Sequence, residues 1–285
     1  MTTYAQAPDG VRLGYRTLGS GPGLVIVHGA MSTGANHSQL AEGLASRFTV
    51  HLLDRRGRGL SPAAGAEWSV EDDVADLRAV LAATGARRVF GISIGAIVAL
   101  RTALVAPEVE RLAIFEPPLF GESAHPTALL EKLDAALAAE DRPRALVIGM
   151  QGAELGPSFL NKAPTGLLVP MVKLGLRQER RTLAKQGPGP YVPMAELAPT
   201  LHHDFRIVAE TSGRTAELAG LPQPTLLLGA QRSPAYMRAA LDDLERTLPH
   251  AERVTLPDVA HEVTYNDDLR GKPQLVVEPL RGFFA

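Results

Sequence analysis

Arg88-Val89-Phe90-Gly91-Ile92-Ser93-Ile94-Gly95-Ala96-Ile97-Val98-Ala99-Leu100 decides how the rest of this chain is read. A short apolar run ends at Phe90, and an apolar helix opens at Ile94 and continues to Val105. Between them stands Ser93, with Gly91 two residues before it and Gly95 two residues after it. So tight a turn from strand to helix holds the serine in strained backbone geometry, and the two glycines remove side chains that would fill the turn. The hydroxyl is then presented above a sheet edge, as a nucleophile requires. The same five letters arise by chance in Gly-rich surface turns. The strand before and the helix after separate the two readings.

Outward from this turn, Leu24 to Val27, Phe48 to Leu53, Leu112 to Phe115 and Thr225 to Leu228 are further short apolar runs bounded by Gly, Pro, Asp or charge. Strands buried on both faces of a parallel sheet have this pattern. Val11 to Arg16 alternates instead, as a half-buried edge hairpin does, with Gly19 to Gly23 as the turn after it. Ser69 and Asp72 form a capping-box start for a helix carrying Val70, Val74, Leu77 and Leu81, which Gly85 ends. Strand, helix, strand recurs, which predicts βαβ units. The alternation stops between Pro117 and Gly220, where 127–139, 143–150, 167–184 and 196–209 look helical and no strand is convincing. It resumes with a strand at 225–228, a helix at 234–248, a strand at 253–256 and a last helix from Pro273. The expected organisation is a core of residues 1–117 and 221–285 with a helical cap inserted at 118–220. Met150, Met171, Met194, Phe159 and Tyr191 fall in that insertion; ordinary packing is their first reading and ligand contact the second.

With 285 residues, 45% of them apolar, the chain can bury a sizeable core, which excludes a stapled mini-protein and a disordered chain. Its 29 basic and 31 acidic residues leave no excess charge to draw it to nucleic acid or to an anionic membrane. The absence of cysteine excludes disulfides, thiolate zinc sites, iron–sulfur clusters and a cysteine nucleophile. The first ten residues carry no basic flank followed by an apolar stretch, and the apolar run from Ile94 stops at Arg101, so neither a secretion signal nor a membrane span is expected. The expected location is the cytoplasm.

Two further motifs surround the serine. Val27-His28-Gly29-Ala30-Met31 closes an earlier strand, and a loop there can aim the Ala30 N–H at the same point as the Ile94 N–H, forming an oxyanion hole. Asp54-Arg55-Arg56-Gly57-Arg58-Gly59-Leu60-Ser61 closes the next strand. On these three motifs the chain resembles the α/β-hydrolase superfamily, whose members carry H-G-x, D-x-R-G-x-G-x-S and G-x-S-x-G after successive strands. The resemblance implies an α/β fold with a mostly parallel central sheet, helices on both faces and a helical cap, and it spans nearly the whole chain outside the insertion. Asp54 is expected to organise its loop, and His28 to anchor the oxyanion loop.

In this fold the triad runs Ser, acid, His along the chain. His261, just after the last strand, holds the position of the superfamily's catalytic histidine. Of the other histidines, His51 lies in a buried strand, His37, His125 and His250 look like surface residues, and His202 and His203 could reach a ligand from the insertion. The acid departs from the commonest pattern: Gly229-Ala230-Gln231-Arg232-Ser233-Pro234 offers no carboxylate after the seventh strand. Three answers compete, Glu116, Asp258 or none. Glu116 ends the sixth strand, the position from which haloalkane dehalogenases and zearalenone lactonases supply their acid. With Ser at the nucleophile position, the lactonase arrangement is the closer likeness. Asp258 stands only three residues before His261 and would have to fold back along its own loop. Asp242 and Asp243 fall inside a helix.

The resulting expectation is a serine hydrolase of a carboxylic ester, favoured subtype a lactone, using Ser93, His261 and Glu116, with Ala30 and Ile94 as oxyanion donors and Met31 lining the pocket. The substrate is expected to be small, uncharged and hydrophobic, with no cofactor and no metal. Carbon–carbon bond hydrolases and cofactor-free perhydrolases share the triad and remain alternatives. A non-catalytic small-molecule receptor or scaffold is the alternative of another class.

Overall fold

Alternation along the apolar strands places successive side chains on opposite faces of one sheet, and both faces are covered. The computed structural model describes residues 2–65, 67–121, 127–155, 158–187 and 189–285; His125 lies outside them. The strands are β1 (Thr2–Gln6), β2 (Arg12–Leu18), β3 (Gly23–Val27), β4 (Thr49–Leu53), β5 (Arg88–Ile92), β6 (Arg111–Phe115), β7 (Thr225–Ala230) and β8 (Ala251–Leu256). They form one eight-stranded sheet in the order β1-β2-β4-β3-β5-β6-β7-β8. Only the pairings of β2 with β1 and β4 are antiparallel. This is the α/β-hydrolase fold.

Val25, Val27, Val89 and Ile114 pack on one face with helices α2 (Val70–Thr84), α3 (Ile94–Val105) and α10 (Ala235–Thr247). Leu24, Ile26, Phe90 and Phe115 pack on the other with α1 (Ser38–Leu44) and α11 (Gln274–Phe284). Phe90 and Phe115 are wholly buried, and truncating such a side chain to Ala costs about 3–5 kcal/mol. The Ser69–Asp72 capping box and a left-handed Gly85 bound α2 as its sequence predicts.

Between β6 and β7 run the helices α4 (Thr127–Ala138), α5 (Arg142–Gly152), α6 (Ser158–Asn161), α7 (Thr165–Gln186), α8 (Met194–Leu197) and α9 (Leu201–Thr211). No strand occurs among the described residues of this segment. Leu133, Ala145, Leu146 and Leu201 give it a small core of its own.

The edge hairpin is present, with Thr2–Gln6 pairing along the outer side of β2. The structure departs from the sequence reading in three places. The short helix α1 is an addition. The helix expected over 196–209 is broken into α8, a 3₁₀ turn at Ala198–Thr200 and α9; Pro199, which has no N–H to continue the ladder, sits in the turn. His37, expected at the surface, is 1% exposed, because its 3₁₀ turn packs under the loop after β8: Nδ1 bonds Thr264 O at 2.9 Å and the ring stacks on Tyr265.

Candidate active site

Ser93 occupies φ 55° and ψ −118° at the β5–α3 junction, a left-handed conformation for a residue with a Cβ. Such strain costs about 1–3 kcal/mol and persists only where the surroundings enforce it. A Cβ on Gly91 would stand 2.5 Å from Gly95 O, and one on Gly95 only 2.2 Å from Val27 O. Gly29 passes close enough that its Cβ would meet Ser93 Cβ at 2.8 Å. All three glycines are therefore demanded by close packing around the serine.

Backbone register carries the serine to its partners. Ile92 pairs with Phe115 and Phe115 with Leu228, so Ser93, Glu116 and Gly229 leave neighbouring strand ends at one level. Ser93 N donates to Phe115 O at 2.8 Å. Glu116, also at positive φ (44°), is wholly buried. Its Oε2 lies 2.7 Å from His261 Nδ1, and its Oε1 accepts from Ala230 N at 2.6 Å. The His261 ring stacks on Phe115 at 5.6 Å between centroids. A buried carboxylate needs such partners, since an unpaired one is strongly disfavoured away from water. Asp258 points elsewhere: its side chain is 80% exposed and bonds Arg232 at 3.0 Å. Asp242 and Asp243 are helix-surface carboxylates paired with Arg253 and Arg246.

The loop after β3 is pinned from beneath. His28 is wholly buried; its Nδ1 contacts Gly29 O at 2.8 Å and its Nε2 accepts from Arg55 N at 3.1 Å. Burial holds its pKa well below the usual value, so the ring is a neutral anchor and no base. Asp54 accepts from Gly34 N, Leu60 N and Arg16, which ties three chain segments to one carboxylate.

Ala30 and Ile94 line a cavity of about 230 Å³ that also exposes Ser93 and His261. Its other walls are mainly apolar, with Phe120, Leu129, Leu155, Phe205, Val208 and Met237. Met31 is not among the lining residues; it packs against the small core of the helical segment. Met171, Met194 and Phe159 are 63%, 49% and 69% exposed, so the apolar wall is made by other side chains than those the composition singled out. His202 and His203 do not line the cavity, and His202 pairs with Asp134 at 2.6 Å.

Asp204, Tyr236 and Tyr265 are among the polar lining residues that escaped the sequence reading. Asp204 of α9 is buried and accepts from Arg55 at 2.9 Å and Arg58 at 2.6 Å, joining the helical segment to the loop after β4. Arg55 also holds Asp73. The arginines of the 54–61 motif were the available signal, but the partner that Arg55 and Arg58 share stands about 150 residues away. Tyr236 bonds Ala153 O at 3.0 Å, and burial raises its phenol pKa. Tyr265 stacks on His37. Among the described residues no cluster of three metal-ligating side chains exists, and no helix is long and apolar enough to cross a membrane.

Fold, strained serine and paired histidine together define a hydrolase of the α/β class, and the chain belongs to the alpha/beta hydrolase family, whose profile matches residues 24–277. It is 28% identical over 269 residues to the pimeloyl-[acyl-carrier protein] methyl ester esterase of Xanthomonas campestris, covering 94% of this chain and 97% of that one. It is 32% identical over 154 residues to the N-formylmaleamate deformylase of Pseudomonas putida, covering 52% of this chain and 55% of that one. Among solved structures, an alpha/beta hydrolase from Sphaerobacter thermophilus superposes with a TM-score of 0.78 at 32% identity, covering 99% of this chain and 100% of that chain.

Proposed function

We propose that the chain is a serine hydrolase of small, uncharged, hydrophobic carboxylic esters, with lactones as the favoured subtype. The observation that carries this reading is the 2.7 Å contact between His261 Nδ1 and the buried Glu116 carboxylate, in a cavity wall shared with Ser93. A proton on Nδ1, donated to Glu116, leaves Nε2 free to take a proton from Ser93. Ser93 Oγ then attacks the ester carbonyl, and the N–H groups of Ala30 and Ile94 stabilise the oxyanion. His261 returns the proton to the leaving alkoxide, and water activated by the same ring releases the acid.

The cavity supports the substrate class. Its walls are mainly apolar, and Asp204, its buried carboxylate, is already engaged by two arginines. No basic side chain other than His261 lines it among the described residues, so it offers no fixed cation to a substrate carboxylate. About 230 Å³ suits a compact molecule whose acyl and alcohol parts lie close together, as they do in a lactone ring. The esterase name of one relative adds support for ester cleavage. In this reading the helices over 118–220 act as the lid that closes the cavity.

The test combines labelling with a substrate panel. A fluorophosphonate should label wild-type protein at Ser93 and leave Ser93→Ala unlabelled. Short neutral esters and lactones should be hydrolysed faster than their carboxylated analogues. A folded protein that resists labelling would favour the receptor or scaffold. Faster cleavage of carboxylated esters would overturn the substrate class.

A further inference from the structure

The loop after β7 lacks a carboxylate, yet it has not withdrawn from the site. Ser233, 2% exposed, donates from Oγ to Glu116 Oε2 at 2.7 Å, the same oxygen that faces His261 Nδ1. With Ala230 N on Oε1, the hydrogen-bonding partners of the Glu116 carboxylate among the described residues are two donors, Ser233 and Ala230, and a ring nitrogen of His261 that can donate. A serine just before a helix would ordinarily be read as a cap. Here α10 receives no side-chain cap, and the hydroxyl turns to Glu116. Ser233 is itself fixed by its N–H to Ala230 O at 3.2 Å and by Arg238 on its carbonyl.

We propose that Ser233 is a positioning residue of the acid–base pair: its hydroxyl holds the Glu116 carboxylate in place and aimed at His261. The seventh-strand loop thus supplies the donor that steadies an acid from the sixth strand. The physical basis is twofold. A hydrogen bond to an ionised acceptor is stronger than one between neutral groups and fixes the oxygen in space. A donor on a carboxylate also spreads its charge, which weakens its hold on the proton of the adjacent imidazole. Glutamate, with one more rotatable bond than aspartate, needs such fixing more. The inference rests on the Ser93–His261–Glu116 reading above.

Other titratable groups around the pair do not compete for that role. His37 faces His261 from the turn after Thr33, and burial lowers its pKa to about 4. Tyr236 faces Glu116 from α10, and burial raises its phenol. Glu262, next to His261, is exposed at the cavity rim.

The experiment measures kcat, KM and the pH profile of kcat/KM for Ser233→Ala, Ser233→Thr and Glu116→Gln, on the best ester of the panel. Ser233→Ala should lose about tenfold in kcat with KM within about twofold. The acid limb of its kcat/KM profile should move to higher pH, because a carboxylate deprived of one donor holds the proton on the histidine–glutamate pair more tightly. Ser233→Thr, which keeps the hydroxyl, should stay within about threefold of wild type. A wild-type kcat for Ser233→Ala, an acid limb that does not move, or a folded Ser233→Thr as slow as Ser233→Ala would each overturn the proposal. Glu116→Gln separates the two levels. If it collapses activity while Ser233→Ala is normal, the positioning role alone is wrong; if it is itself near normal, the triad reading fails with it.

Discussion

On the sheet side of the cavity, Ser93, Glu116 and Ala230 leave adjacent strand ends whose levels are set by backbone pairs, and the contacts of Ser93 N with Phe115 O, Ala230 N with Glu116 Oε1 and His261 Nδ1 with Glu116 Oε2 run from 2.6 to 2.8 Å. The opposite wall comes from helices between residues 127 and 211, with a small core of their own and several large apolar side chains left in solvent. Asp204, through Arg55 and Arg58, is the main buried polar tie between the two. The difference separates two tasks. Groups that move protons need placement to fractions of an ångström, which strand register provides. The wall that selects a substrate needs only shape and polarity, and helices can supply these from many sequences.

That contrast sets the order of expected effects. Ser93→Ala should lower kcat by several orders of magnitude with little change in stability, since members of a triad act as a unit. Retention of more than about a tenth of wild-type turnover would remove the acyl-enzyme mechanism.

Asp204→Asn strikes the tie instead and should do the reverse. Arg58 would lose its carboxylate partner inside the fold, at a cost of about 3–5 kcal/mol in urea denaturation. Turnover of a small ester should fall by less than about tenfold. A loss below about 1 kcal/mol would mean that the helical wall is held by packing alone.

A third probe uses pH. Burial depresses the pKa of His37 from 6.5 to about 4, so between those values the unfolded chain takes up a proton that the folded chain refuses. The sign follows: this contribution to stability is complete above pH 6.5 and is lost as pH falls toward 4, by up to about 3 kcal/mol. The urea midpoint should therefore drop between pH 7 and 4.5, and drop less for His37→Gln. Equal slopes for the two proteins would show that His37 is not the group responsible.

The smallest effects belong to the outer surface of the helices. Phe205→Ala, inside the cavity, should raise KM about tenfold, worth roughly 1.4 kcal/mol of apolar contact. Met171→Gln, on a side chain 63% exposed, should leave KM within about twofold and stability within about 0.5 kcal/mol. Equal effects on KM would mean that the walls have been assigned to the wrong side chains.

The sheet side was the legible side. Gly91, Gly95 and Gly29 flank Ser93 in motifs a few residues long, and the strands that carry them are continuous apolar runs, so local sequence contains most of the geometry. Glu116, directly after β6, and His261, in the turn that follows β8, could be located from their place relative to the strands, and Asp54 from its local loop motif. Ser233 and Asp204 were not, since each acquires meaning only from a partner more than a hundred residues away. Met31 and His37 were misjudged for a related reason. Composition and position suggested a pocket wall and a surface, whereas neighbours brought in by the chain's later course, the helical core and the loop after β8, decide their burial.

The central claim is that the acid comes from the sixth strand and reaches His261 directly, and side-by-side turnover of Glu116→Gln and Asp258→Asn tests it. The amide at 116 preserves shape while favouring the wrong histidine tautomer, so kcat should fall by up to about 10⁴-fold. Asp258→Asn alters an exposed carboxylate paired with Arg232 and should remain within about twofold of wild type. A near-normal rate for Glu116→Gln together with a collapsed rate for Asp258→Asn would contradict the account.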